Sequence, residues 1–218
     1  MIKAVIFDMD GLMIDTERLL MRFWLEAAHR LGYDLKREHV LGIRSLAAKY
    51  AVPKLQKEIG EDFDYFKVRE LRKQLMNEEI EKTGIEEKPG LGELLDYLKA
   101  KHYKIAVATA TDLPRTTKYL KSLGKIHYFD KIVCAPMVEN GKPAPDIYLE
   151  AAKQLETDPA ECMALEDSPN GILSAYRAGI MPVMVPDLTQ PDEETEKWMY
   201  CCVPDLSKVI PLLEKLEN

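Results

Sequence analysis

Five short, nearly continuous apolar runs, separated by segments with helical periodicity, constrain the fold of this chain most. Strands that are covered on both faces of a parallel sheet have this composition. The segments between the runs carry apolar residues at spacings of three and four, as crossover helices do. The pattern therefore predicts an α/β fold, a Rossmann-like doubly wound parallel sheet. The predicted strands span residues 3–8, 104–109, 131–135, 162–167 and 181–185, with a short edge strand near 201–203.

A long helical stretch interrupts this alternation after the first run. An apolar stripe that begins near Leu19 ends at Gly32, and residues 45–60 and 64–84 also have helical periodicity, the first of these segments being expected to break at Pro53. A helical piece of this size between two strands is typical of an inserted domain. We predict a core domain of residues 1–16 and 88–218 and an α-helical cap domain of residues 17–87.

Composition narrows the classes of partner. Thirty basic and 37 acidic residues give a net charge of -7, which repels nucleic acid and anionic lipid, so neither is expected as a partner. No apolar window approaches the roughly 18 residues of a membrane span, and no secretory signal pattern is present, so we expect a cytoplasmic protein. The four cysteines and four histidines lack metal-ligand spacing, which disfavours a zinc site.

Polar residues follow the carboxyl ends of several predicted strands, where parallel sheets bind ligands. They are Asp8 and Asp10 after the first strand, Thr109 at the end of the second, Glu166 and Asp167 at the end of the fourth, and Lys142 ahead of a crossover helix. Clustered carboxylates repel one another unless a cation neutralises them. Oxygen ligands alone select a hard ion, and Mg²⁺ is favoured because it also takes phosphate oxygens. Lys142 and Thr109 are suited to holding the remaining phosphoryl oxygens.

These residues resemble the four motifs of the haloacid dehalogenase superfamily. The segments are "DMDGLMIDTE", Thr109 after an apolar strand, "GKPAPDIYL" with Lys142, and "LEDSPNG" with Asp167. The resemblance is greatest to the β-phosphoglucomutase-like phosphatases, which carry a helical cap of the C1 type after the first motif. It implies a Mg²⁺-dependent phosphomonoesterase, a monomer, which acts on a small phosphorylated metabolite such as a sugar phosphate through an aspartyl-phosphate.

The same resemblance implies a role for each motif residue. Asp8 would be the nucleophile, and Asp10 would be the general acid and base while its backbone carbonyl contacts the metal. Asp167 would complete the Mg²⁺ site that Asp8 and Asp10 begin, with Glu166 as a ligand either directly or through water. Thr109 and Lys142 would serve both catalysis and substrate binding. Arg44 resembles the cap arginine that many relatives direct at the substrate, with a solvent-facing charge as the alternative.

Three alternatives remain at this stage. A β-phosphoglucomutase would return the phosphoryl group to the sugar, but such mutases carry a histidine where this chain has Leu20. A receiver-type signalling protein also gathers acids, a threonine and a lysine around a parallel sheet, yet receivers lack so long an insertion. A dehalogenase is disfavoured, because dehalogenases lack the second aspartate, here Asp10.

Two polar residues near the motifs have structural interpretations. For Glu17, the favoured interpretation is that its charge complements the dipole of the first cap helix, and for Ser168 it is helix capping.

Overall fold

A single six-stranded sheet lies at the centre of the computed structural model, which describes residues 1–217. All the strand pairs are parallel, and the order is β3-β2-β1-β4-β5-β6. The strands are β1 (Ala4–Phe7), β2 (Lys104–Thr109), β3 (Lys131–Cys134), β4 (Cys162–Glu166), β5 (Met181–Met184) and β6 (Cys201–Cys202). The predicted fold class and all six predicted strands are confirmed.

Burial on both faces explains the unbroken apolar runs. In β1, Val5 and Phe7 pack into one hydrophobic cluster, whereas Ala4 and Ile6 pack into a second cluster on the opposite face of the sheet. All four side chains are fully buried. A strand with this environment has no position for a polar residue until it ends. The first acid, Asp8, accordingly comes directly after Phe7.

Helices cover both faces of the sheet. One face packs against α5 (Leu91–Ala100) and α10 (Val209–Glu217), and the other packs against α7 (Asp146–Gln154) and α8 (Pro169–Arg177). The remaining helices of this part are α6 (Leu113–Ser122) and the short α9 (Glu193–Glu196). Within residues 1–217, none of the helices is both long enough and apolar enough to cross a membrane.

Four helices fill the interval between β1 and α5. They are α1 (Glu17–Arg30), α2 (Arg37–Leu41), α3 (Ala48–Ile59) and α4 (Tyr65–Thr83). The expectation that Pro53 breaks a helix is wrong, because Pro53 lies inside α3. Ala51 and Leu55 on that helix are fully buried, and their packing offsets a cost of about 3 kcal/mol for an internal proline.

The chain leaves and re-enters the core through two adjacent segments. The backbone N–H of Asp15 donates to the carbonyl of Glu86, and that of Lys88 donates to the carbonyl of Met13, each at 2.9 Å. We call residues 17–87 the helical insertion. Its status as a separate domain with these limits stays a prediction, which the paired segments support. The sheet order reverses at β1, so the loops that follow β1, β2 and β4 meet at one rim.

Candidate active site

The turn after β1 brings the backbone close to the end of β4. Gly11 has φ +83°, a left-handed conformation that costs residues with a Cβ about 1–2 kcal/mol. A Cβ on Gly11 would lie 2.1 Å from Oδ2 of Asp167. Glycine is therefore required here both by the backbone conformation and by the close approach of the Asp167 carboxylate.

Lys142 joins two of the predicted acids. Its Nζ donates to Oδ1 of Asp8 at 2.6 Å, to Oε1 of Glu166 at 2.5 Å and to the carbonyl of Ala108 at 3.1 Å. The side chain is almost completely buried. Burial alone would lower the pKa of the ammonium group, but Asp8 and Glu166 hold that pKa above its usual value. Lys142 is therefore a fixed positive charge beside Asp8.

Glu166 accepts hydrogen bonds on both carboxylate oxygens. Besides Lys142, the hydroxyl of Tyr148 donates to Oε1 at 2.7 Å, while the Asp167 N–H and the Ser168 hydroxyl donate to Oε2 at 3.2 and 3.3 Å. Ser168 also accepts from the N–H of Gly171, which confirms its predicted role as the cap of α8. Tyr148 was not predicted, because a tyrosine on the apolar face of a helix has the same sequence pattern as any core aromatic residue.

Three of the predicted ligands form a compact group of carboxylates. Asp8, Glu166 and Asp167 each offer one oxygen, and these oxygens lie within 4.8 Å of one another. Oδ1 of Asp167 is buried and has no hydrogen-bond partner within residues 1–217. Burial, together with the neighbouring carboxylates, raises the pKa of both Asp8 and Asp167 well above the usual value. An all-oxygen group with an unpartnered buried oxygen fits a hard divalent cation such as Mg²⁺.

Arg44 reaches this group from the helical insertion. Its guanidinium donates to Oδ2 of Asp167, to Oε2 of Glu17 at 2.9 Å and to the Thr189 hydroxyl at 2.9 Å. The alternative of a solvent-facing charge is wrong, because Arg44 is 5% exposed. Its predicted contact with substrate stays a prediction. Glu17 lies in the first turn of α1, as expected, but it is buried and paired with Arg44.

Two threonines position Asp10. The hydroxyl of Thr16 donates to its Oδ1 at 2.6 Å, and the hydroxyl of Thr111 donates to its Oδ2 at 2.7 Å. The Asp10 carboxylate is not one of the three clustered metal-ligand candidates among the described residues. Thr109 is buried, and its Oγ1 accepts from the N–H of Thr111 at 3.1 Å. Thr16 and Thr111 were not predicted, since threonines carry no spacing signal of their own.

A cavity of about 120 Å³ opens onto these groups. From the core it is lined by Asp8, Asp10 and Thr109, and from the helical insertion it is lined by side chains that include Trp24 and Arg44. Trp24 is largely buried in the insertion and also lines the cavity. Glu166, Asp167 and Lys142 do not line this cavity but are buried next to Asp8, so the structure brings all the predicted site residues into one region.

Comparison with known proteins identifies the family. The model of the family described as haloacid dehalogenase-like hydrolase matches residues 5–185. A phosphorylated carbohydrates phosphatase of Thermotoga maritima is 34% identical over 82% of this chain and 82% of its own length. A β-phosphoglucomutase of Bacillus subtilis is 31% identical over 84% of this chain and 83% of its own length.

A solved structure agrees with these relatives. The crystal structure of CbbY from Rhodobacter sphaeroides in complex with phosphate has 27% identity and a TM-score of 0.80, and the match covers 96% of each chain. Membership of a family of enzymes excludes the non-catalytic receiver considered above. Together with the carboxylate group at the ends of β1 and β4, these similarities show that the chain belongs to the haloacid dehalogenase-like hydrolases.

Proposed function

We propose that this protein is a Mg²⁺-dependent phosphomonoesterase that hydrolyses a small phosphorylated metabolite, such as a sugar phosphate. The observation that carries the proposal is the contact of Lys142 with Asp8, which lines a cavity together with Asp10. Side chains of the core and of the helical insertion line this cavity together, which favours a small substrate. The Thermotoga maritima relative, a phosphatase of phosphorylated carbohydrates by name, supports the same substrate class.

Asp8 acts as the nucleophile in this proposal. One of its carboxylate oxygens attacks phosphorus, an Asp8–phosphorus bond forms, and the bond from phosphorus to the substrate oxygen breaks. Lys142 donates to Oδ1 of Asp8 and not to Oδ2. Oδ2 is therefore the oxygen that is better suited to the attack. The same ammonium group stays within reach of the oxygens of a phosphoryl group on Asp8.

Asp10 moves the proton in both steps. In its protonated form it gives the proton to the departing alkoxide, and in the second step it takes a proton from the water that attacks the aspartyl-phosphate. That attack breaks the Asp8–phosphorus bond and releases inorganic phosphate. Thr16 and Thr111 hold the Asp10 carboxyl from both sides, and because hydroxyls donate as well as accept, they accommodate either protonation state.

A metal site and Thr109 complete the proposed site. The oxygens of Asp8 and Asp167, with Glu166 close by and the backbone carbonyl of Asp10, would hold Mg²⁺. When bound, the ion would neutralise the carboxylates and stabilise the negative charge that develops on the phosphoryl oxygens. Thr109 accepts a hydrogen bond on its oxygen, so its own hydroxyl proton is free to donate to a phosphoryl oxygen.

Release of inorganic phosphate from a panel of sugar phosphates, polyol phosphates and p-nitrophenyl phosphate tests the proposal. We expect turnover with Mg²⁺, loss of turnover with EDTA, and loss of at least about a thousandfold in Asp8→Asn. Asp34→Asn, which changes an exposed aspartate of the insertion, is the matched control and should keep wild-type activity. Absence of turnover on every substrate, or full activity of Asp8→Asn, would contradict the proposal.

A β-phosphoglucomutase is the second candidate, favoured by the similarity to the Bacillus subtilis enzyme of that name. Against it, Leu20 lines the cavity at the position where the mutases carry a histidine. The two functions are separated by incubating β-glucose 1-phosphate with a bisphosphate primer. A phosphatase yields inorganic phosphate, whereas a mutase yields glucose 6-phosphate.

A further inference from the structure

A group of basic side chains lines the same cavity and takes no part in the proposed chemistry. Arg69, Arg72 and Lys73 come from α4 of the helical insertion, and Arg115 comes from α6 of the core. Within residues 1–217, none of the three arginines has a carboxylate oxygen within 4.0 Å of its side-chain nitrogens. Lys73 has only a loose contact of 3.7 Å with Glu70, a largely exposed side chain.

Arg72 is the most informative member of this basic group. It is 7% exposed, its Nε has no hydrogen-bond partner within the described residues, and one Nη contacts only the sulfur of Met76, at 3.8 Å. Its guanidinium lies over the ring of Trp24, 5.3 Å from the ring centre, and Trp24 in turn packs against Tyr65. The arginine is therefore held in a fixed position with its charge uncompensated.

The surroundings of Arg72 destabilise its charged form. Burial, together with the nearby positive charges of Arg115 and Arg69, lowers the pKa of the guanidinium to about 10. The hydroxyl of Tyr119 is also buried and has no partner within the described part of the chain. Burial raises its pKa, and the nearby charges of Arg115 and Arg72 oppose that rise. A buried cation without a counter-ion is destabilising, so the binding of an anion at this position gains free energy.

Arg44 and Lys142, the other cations of the site, are already paired with carboxylates. In the proposed function, Lys142, Thr109 and a bound cation hold the phosphoryl group at Asp8, so its recognition does not require the arginines. Asp8 and Arg72 line the same cavity, so an anion at Arg72 and a phosphoryl group at Asp8 would belong to the same ligand. Guanidinium groups bind carboxylate and phosphate with paired hydrogen bonds.

We infer that the substrate carries a second anionic group, a carboxylate or a phosphate, at the end remote from the scissile phosphate, and that Arg72, with Arg69 and Arg115, binds it. This inference rests on the proposed phosphatase function and narrows its substrate class from phosphorylated metabolites in general to doubly anionic ones. Arg72 and Arg115 approach from the insertion and the core respectively, so the second anion would contact both parts of the chain.

Substrates of matched length test the inference. Gluconate 6-phosphate and glucitol 1,6-bisphosphate differ from glucitol 6-phosphate only at C1. The first has a carboxylate there in place of the hydroxymethyl group, and in the second the hydroxymethyl group is phosphorylated. We expect kcat/KM for at least one of the two doubly anionic compounds to exceed that for glucitol 6-phosphate about tenfold or more. The relative values for the carboxylate and the phosphate tell which anion the arginines select.

Single substitutions test whether Arg72 causes the preference for doubly anionic substrates. Arg72→Gln should lower kcat/KM for the preferred doubly anionic substrate about 10- to 100-fold and change that for glucitol 6-phosphate less than about threefold. Lys67→Gln removes a positive charge from the exposed side of the same helix and should leave both values unchanged. If Arg72→Gln does not fold, Arg115→Gln, a partly exposed position on α6, replaces it with the same expectation.

Equal rates on the three matched substrates in the wild type would overturn the inference, as would equal losses on all of them in the variants. Titration calorimetry with gluconate 6-phosphate and glucitol 1,6-bisphosphate in an Asp8→Asn background adds a readout without turnover, in which Arg72→Gln should weaken binding by a similar factor. Failure of this inference leaves hydrolysis of glucitol 6-phosphate or p-nitrophenyl phosphate intact. Failure of the proposed function abolishes all phosphate release.

Discussion

The ammonium nitrogen of Lys142 lies 2.6 Å from a carboxylate oxygen of Asp8, although 134 residues separate the two in the chain. The same nitrogen lies 2.5 Å from Oε1 of Glu166, the last residue of β4. All three side chains are buried, so their charges interact with little screening by water. Lys142 therefore supports the fold and, in the proposed mechanism, the transfer of the phosphoryl group.

Lys142→Met removes this charge and keeps a similar volume. We expect a loss of activity of about a hundredfold to a thousandfold, because a fixed charge at the reacting group is lost. The free energy of unfolding should fall by about 3–5 kcal/mol, since Asp8 and Glu166 remain buried without their partner. Phosphate release and urea unfolding measure the two effects.

Two further variants control this experiment. Lys153→Met changes a lysine that is 80% exposed and should alter neither quantity. Adding Glu166→Gln to Lys142→Met removes one of the abandoned carboxylates, so it should restore part of the stability without restoring activity. Wild-type stability in Lys142→Met would contradict the stabilisation of the fold by the contacts of Lys142 with Asp8 and Glu166.

Magnesium should stabilise the fold through Asp167. Its unpartnered Oδ1 and the repulsion among the three carboxylates are relieved when a cation binds. At a concentration of about 100 times the dissociation constant, Mg²⁺ should add about 2.7 kcal/mol to the free energy of unfolding. Asp167→Asn should abolish this gain, and Asp34→Asn should retain it. A thermal midpoint that is independent of Mg²⁺ in the wild type would exclude the site.

Much of this arrangement was predictable from local sequence. Two-sided burial leaves β1 no polar position before Asp8, so the end of the strand and the start of the site coincide in the sequence. Ser168 was identifiable as a helix cap because it stands immediately before the proline-initiated helix α8. Such features depend on a few consecutive residues, whose environment the hydrophobic pattern already specifies.

The contacts between the insertion and the core were not predictable in the same way. Glu17 was assigned to a helix dipole, yet it is buried beside Arg44, and the basic group around Arg72 was not recognised. Which face of an amphipathic helix meets the site depends on how α1 and α4 pack over the sheet. Charged residues on such a face have the same spacing as solvated ones, and the sequence carries no separate signal for them.

Stability of the metal-free protein should decrease as the pH rises. Burial raises the pKa of Asp8 and Asp167 well above the usual value and that of Glu17 to about 7. In the unfolded chain these carboxyl groups ionise near about pH 4. Between about pH 5 and pH 8 the folded state retains protons that the unfolded state has released, so the free energy of unfolding falls with increasing pH.

Urea unfolding at about pH 5.5 and about pH 8, with EDTA or with Mg²⁺, measures this dependence. Magnesium should reduce the loss of stability at the higher pH, because a bound cation favours the ionised carboxylates. The exposed-site variant Asp34→Asn should have the pH dependence of the wild type. An equal pH dependence with and without Mg²⁺ would contradict the assignment of Asp8 and Asp167 as ligands.

Gly11→Ala should destabilise the protein by more than the cost of the left-handed backbone conformation alone. Gly11 and Gly32 have φ angles of +83° and +84°. An added Cβ meets Asp167 at 2.1 Å in the first case, whereas in the second no atom of the described residues lies within 4 Å of it. Gly32→Ala should therefore cost only about 1–2 kcal/mol of stability. Gly11→Ala should cost more and should also weaken the stabilisation by Mg²⁺, as measured by urea unfolding with and without the ion. Equal losses in the two variants would mean that the Asp167 carboxylate does not lie against the turn after β1.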